Sequence, residues 1–207
     1  MDGEKIFTRE ELQSAKDSIE HAQGYKEKGL EAYAVGLNIP LETFKTFEGS
    51  SVLDLGAGAH LQFAQGLQKA GIKAFVTSFS PAFADNKWST IAQETDVSEK
   101  RMVAGMGEHL PFLNASFQKI ICLDVFEHLD TFDRYMTFLQ EIVRVLAPGG
   151  IAYLGPTKES PIPVAGQAIP KEELEKKLKE VTVTYHTARK VLGLLTLTFE
   201  KKSLLKI

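Results

Sequence analysis

The chain has 207 residues, 43% hydrophobic and 25% charged, with 24 basic residues against 27 acidic for a net charge of -3. That composition suits one well-filled core, and the slight acidic excess leaves no evident basic face, so no nucleic-acid partner is expected. One cysteine, Cys122, excludes an internal disulfide and a multi-cysteine metal site, and no metal centre is expected.

The first fifty residues read as helix, with Thr8 and Glu11 spaced as a capping box. From Arg9 to Tyr33 the segment is polar, and it reads either as a surface helix pair or as a lid over a ligand site. Ser51 to Leu55 is a buried-strand signal followed at once by Gly56-Ala57-Gly58. His60 to Ala70 carries apolar residues at helical spacing and ends at Gly71. Lys73 to Ser78 is a second strand, and Pro81 opens a helix reaching about Gln93. Arg101 to Ala104 and Gln118 to Leu123 are the third and fourth strands. Thr131 to Leu146 is an amphipathic helix stopped by Pro148-Gly149-Gly150, and Ile151 to Leu154 is the fifth strand. A short charged helix follows over Lys171 to Lys179. Val181 to Tyr185 and Leu194 to Phe199 are too close for a helical crossover and should pair antiparallel.

Strands alternating with helices predict an α/β fold: a Rossmann-like, mostly parallel, seven-stranded sheet with helices on both faces and a C-terminal antiparallel hairpin. A single domain is expected over 1–207. It divides into an N-terminal helical cap (1–50), a cofactor-binding core (51–156) and a C-terminal helix and hairpin (157–207). No run approaches the roughly 18 apolar residues that span a bilayer. The charged start lacks a secretory core, so a cytoplasmic protein without a membrane span is expected. Nothing in the sequence sets an oligomeric state.

A strand, a glycine turn and a helix make an anion or nucleotide site. The dinucleotide fingerprint needs a third glycine, which Gly56-Ala57-Gly58-Ala59-His60-Leu61 lacks, so a nicotinamide oxidoreductase is disfavoured. Asp54, at the strand's carboxyl end, would repel a pyrophosphate and favour a cationic ligand, or else it caps the next helix and orders the loop.

Val52-Leu53-Asp54-Leu55-Gly56-Ala57-Gly58 resembles the first motif of class I S-adenosylmethionine-dependent methyltransferases. Gly105 to Phe112 with Ser116-Phe117 is similar to the segment after that family's third strand. Val125 to Leu129 and Glu141 to Gly150 are similar to its fourth-strand exit and the helix before its fifth strand. The resemblance covers residues 50 to 156 and points to the small-molecule subgroup. It implies S-adenosylmethionine as cofactor, bound by Asp54, Gly56, Ala57, Gly58, His60, Ser78, Phe79, Met106, Gly107, Glu108 and Leu123.

Three positions depart from the family pattern. His60 stands where glycine is frequent, Ser78 where an acid binds the ribose hydroxyls, and Met106 where an aspartate meets the adenine amino group. Each lost charge-assisted contact costs about 1.5–3 kcal/mol. The alternative reading is therefore a weakly binding or non-catalytic relative that uses the fold to hold a partner. For an enzyme, His128 is the candidate general base at the mouth after the fourth strand, or else it orders that loop. Tyr25, Tyr33, Phe44, Phe47 and the Pro156 to Pro163 segment suggest a small-molecule acceptor with an apolar body.

Overall fold

The computed structural model describes residues 29–58, 61–84, 101–126, 129, 131–158, 176, 183–191 and 194–202. Its strands are β1 (Ser51–Leu55), β2 (Phe75–Phe79), β3 (Met102–Val103), β4 (Phe117–Leu123), β5 (Leu146–Lys158), β6 (Val183–Val191) and β7 (Leu194–Lys201). They form one seven-stranded sheet in the order β3-β2-β1-β4-β5-β7-β6. The first five pair parallel. β7 runs antiparallel to both β5 and β6, which gives the expected closing hairpin. The helices are α1 (Leu30–Leu37), α2 (Gln62–Lys69) and α3 (Phe132–Val145), with 3-10 turns over Leu41–Phe47 and Pro81–Ala84.

Side chains alternate along each strand, so the sheet buries two faces. Leu53, Leu55, Ile120 and Cys122 meet Tyr135, Phe138, Leu139 and Ile142 of α3. On the other face Val52, Val76, Ile121 and Leu123 meet Tyr33 and Leu37 of α1, Phe63 and Leu67 of α2, and Phe44 and Phe47. Helices thus cover both faces, as a mostly parallel sheet requires.

α3 is fixed at both ends. The Thr131 hydroxyl accepts from Arg134 N at 3.3 Å, an N-cap. At the other end Lys201 Nζ, on β7, donates to Val143 O at 2.9 Å and Leu146 O at 2.8 Å. A cation there satisfies helix carbonyls that have no partner in the helix. Arg144 donates to Glu141, Leu110 O, Phe112 O and Asn114 Oδ1, which anchors the loop before β4 to the helix. The Arg144 guanidinium holds the Glu141 carboxyl below its usual range.

Several boundaries differ from the sequence reading. β5 starts at Leu146, so Pro148-Gly149-Gly150 falls inside it. The ladder to β4 is interrupted there: Phe117 pairs with Leu146, then Lys119 with Ile151. A proline without an N–H is tolerated where no ladder bond is needed. β6 runs on to Val191, beyond the expected end at Tyr185, because an edge strand with one neighbour tolerates polar residues. β3 is shorter than expected. The Thr8 cap, the helix beyond Ala84, and the Lys171 to Lys179 helix apart from helical Lys176 lie outside the described residues. Among the described residues, no helix is long and apolar enough to cross a membrane.

Candidate active site

A cavity of about 480 Å³ opens at the carboxyl ends of β1, β2 and β4. β2 lies on one side of β1 and β4 on the other, so this is the point where strand order reverses and ligands enter open α/β sheets. The volume lies in the range of small-ligand sites.

The glycine turn forms the floor. Gly56 and Gly58 have φ of 76° and 62°, a left-handed backbone that glycine adopts without strain. The N–H groups of Gly56 and Ala57 donate to Phe79 O at 2.8 and 3.2 Å, tying the turn to the end of β2. A side chain at Gly56 would run into Val125, whereas one at Gly58 would meet nothing within 4 Å. The turn is therefore packed from below at Gly56 and open to a ligand at Gly58.

Gly56, Ala57, Gly58, Phe79, Met106, Gly107, Glu108 and Leu123 line the cavity. Asp54 and Ser78 do not. They are 1% and 0% exposed, and they pair across β1 and β2 behind the cavity wall. The cause is depth: Asp54 and Ser78 sit one residue back from the strand ends, and the next residues, Leu55, Phe79 and Ser80, reach the cavity. Among the described residues, Asp54 Oδ2 and Ser78 Oγ have no hydrogen-bond partner. Burial pushes the Asp54 carboxyl up to about 7. His60 and His128 lie outside the described residues.

Of the other cavity residues, the sequence offered Tyr33 as an acceptor contact, but not Asp124, Gln62 or Arg134. Tyr33 arrives from α1, which sits hard against the sheet. A side chain on Gly36 would meet Leu123 Cδ1 at 2.6 Å, and one on Gly155 would meet Gly36 O at 3.1 Å. The Tyr33 hydroxyl accepts from Phe63 N–H, and burial, with Asp54 and Asp124 adding to it, keeps the phenol protonated well above its usual range. Asp124 follows β4 with φ of 58°, and its N–H donates to Gly155 O at 3.0 Å. A non-glycine residue in that region is held there by its surroundings, a feature found at functional sites. Gln62 opens α2, is 8% exposed, and its Nε2 has no partner. Arg134 Nε meets Glu108 Oε1 at 2.5 Å, joining α3 to the loop after β3. Asp124 had a sequence signal, since it directly follows a strand that ends at the crevice. Tyr33 was offered by the sequence only as one aromatic of the N-terminal segment, because its place depends on packing across distant segments.

Among the described residues, the charged lining groups are two acids, Glu108 and Asp124, and one base, Arg134, already paired with Glu108. Apolar walls with an acidic balance, an open glycine turn and an unpartnered amide donor fit a cationic ligand of nucleoside size. Among the described residues, no cluster of three or more His, Cys, Asp or Glu could hold a metal ion.

Strand order, glycine turn and cavity together define the Rossmann-like methyltransferase fold. Residues 53–154 match the family model described as a methyltransferase domain. Over that segment the chain is similar to methyltransferase domains, and it shares their fold. No curated protein matches it. Among solved structures it is similar to a protein from Methanococcus maripaludis described as an S-adenosylmethionine-dependent methyltransferase, with TM-score 0.61, 15% identity and 95% of each chain covered. It is also similar to the 1,6-didemethyltoxoflavin N1-methyltransferase of Burkholderia thailandensis, solved with 1,6-didemethyltoxoflavin and S-adenosylhomocysteine bound. There the TM-score is 0.60 and identity 21%, covering 94% of this chain and 87% of that one. A Galdieria sulphuraria protein described as a sarcosine dimethylglycine methyltransferase gives TM-score 0.65 and 16% identity, covering 92% of this chain and 98% of that one.

Proposed function

We propose that the chain is a methyltransferase acting on a small molecule with an apolar body, as one cytoplasmic domain spanning 1–207. The observation that carries the reading is the cavity wall. Tyr33, Leu123, Val125, Leu129 and Phe138 surround it with apolar surface, and its one base is paired. The small acceptor held by the Burkholderia protein in a similar fold supports the same class.

Bound S-adenosylmethionine supplies a methyl group on a sulfonium, an activated leaving group. The chain's part is alignment and exclusion of water. Gly56, Ala57 and Gly58 let the backbone approach the ligand. Met106, Gly107, Glu108, Phe79 and Leu123 shape its walls. Asp54 and Ser78 act from behind, as a buried negative potential and a packing position. His128 is the proposed general base for an oxygen acceptor, and His60 a proposed cofactor-binding position.

Calorimetric titration with S-adenosylhomocysteine tests the cofactor part. We expect a dissociation constant on the order of micromolar. No binding at about millimolar ligand would favour the second reading, a partner-binding relative. The observation behind that reading is that Ser78 and Met106 bring no carboxylate to the cavity. Turnover confined to protein or RNA substrates would overturn the small-molecule acceptor.

A further inference from the structure

We infer that the acceptor atom is an amine nitrogen, brought in as an ammonium ion and held by Asp124. The inference rests on the methyl-transfer reading above and names the substrate class for the same cavity.

Asp124 is placed for this by the backbone. Its left-handed conformation at the end of β4, tied through its N–H to Gly155 O at 3.0 Å, sets the residue in the cavity lining. Asp54 lies behind the same end of the cavity on β1. Both acids act on common neighbours, Tyr33 on α1 and Cys122 on β4, so their fields overlap there. The other polar groups at this end are neutral. Tyr33 stays a protonated phenol, and Gln62 offers an unpartnered amide N–H while 8% exposed. The one lining base among the described residues, Arg134, is held by Glu108. A carboxylate or phenolate acceptor would meet the Asp124 carboxylate, and among the described lining residues the cation is already held by Glu108; like charges in a desolvated site are strongly disfavoured. An ammonium finds its counter-ion.

The chemistry balances. The ammonium gives one proton to the Asp124 carboxylate, which frees the nitrogen lone pair. That pair forms the new N–C bond as the S–C bond breaks, and the sulfur keeps the electrons of the broken bond as a neutral thioether. The product leaves as a methylated ammonium, and Asp124 returns its proton to solvent.

The test uses the full chain saturated with S-adenosylhomocysteine and three probes of one apolar body: phenethylamine, phenethyl alcohol and phenylpropionate. Calorimetry should show the amine binding at least about tenfold tighter than either oxygen compound. In Asp124→Asn that preference should fall to about threefold or less. Asparagine also tolerates a left-handed backbone, so the variant keeps the local fold, and its own S-adenosylhomocysteine titration verifies this. Equal binding of the alcohol or carboxylate overturns the inference. So does an amine preference that survives Asp124→Asn, or an amine that fails to bind at about 10 mM. Failure of S-adenosylhomocysteine itself to bind the native chain removes the methyl-transfer reading and this inference with it.

Discussion

Replacing Asp54 by asparagine removes a charge that the fold buries. The carboxyl is 1% exposed, one of its oxygens lacks a hydrogen-bond partner, and burial lifts it from an ordinary 3.8 to about 7. Below pH 3.8 the folded and unfolded chains both carry the proton, so the group does not affect stability. Between 3.8 and about 7 the folded chain keeps a proton that the unfolded chain has released, and stability falls as pH rises. Above about 7 the full difference applies: about three pKa units at about 1.36 kcal/mol each, on the order of 4 kcal/mol. The new amide has a desolvation cost of its own, but that cost is independent of pH. Urea unfolding at pH 5 and pH 8 therefore isolates the carboxyl. Asp54→Asn should gain on the native chain by roughly 3 kcal/mol between the two pH values, or about 8 °C in Tm. Parallel pH profiles for the two proteins would refute the reasoning.

Gly56→Ala sets a methyl group against Val125 in a left-handed backbone. Calorimetry should record at least about a tenfold loss of S-adenosylhomocysteine affinity, with about 2 kcal/mol lost in urea. Glu108→Gln releases Arg134 at the cavity rim. The side chains are 35% and 13% exposed for Arg134 and Glu108, so stability should move by less than about 1 kcal/mol. Cofactor affinity should still fall about threefold, because the rim loses its anchor to α3. Arg144→Lys keeps the charge but cannot span Leu110 O, Phe112 O, Asn114 and Glu141 together. A loss of about 2 kcal/mol in urea is expected, and an unchanged midpoint would contradict the anchoring role.

The parallel core was legible because its signals are local. Short, mainly apolar segments marked β1 and β4, and a clean amphipathic stripe marked α3. The turn residues Gly56 and Gly58 announced themselves by type. What escaped was either a matter of depth along a strand or of long-range packing. The resemblance implies a ribose contact at Ser78, yet that residue is buried one position short of the end of β2, where Phe79 and Ser80 line the cavity. Tyr33 enters through a close approach of α1 to Leu123 and Gly155, positions about 90 and 120 residues away. The Pro148-Gly149-Gly150 stop was read correctly as the end of a helix. That the next strand already runs through it depends on a break in pairing to β4. Nothing within the segment itself reports such a break.

The sheet order carries a consequence for synthesis. β7 lies between β5 and β6 although it follows both in the chain, so a later strand fills an interior slot. Until Lys201 has left the ribosome, β5 presents an open edge, and β6 has no described neighbour to join. The C-terminal end of α3 also waits for the Lys201 ammonium that covers its carbonyls. The nascent chain therefore completes its sheet in one late event. An open edge beside apolar Ala152 and Leu154 is the surface a second nascent chain would most readily occupy.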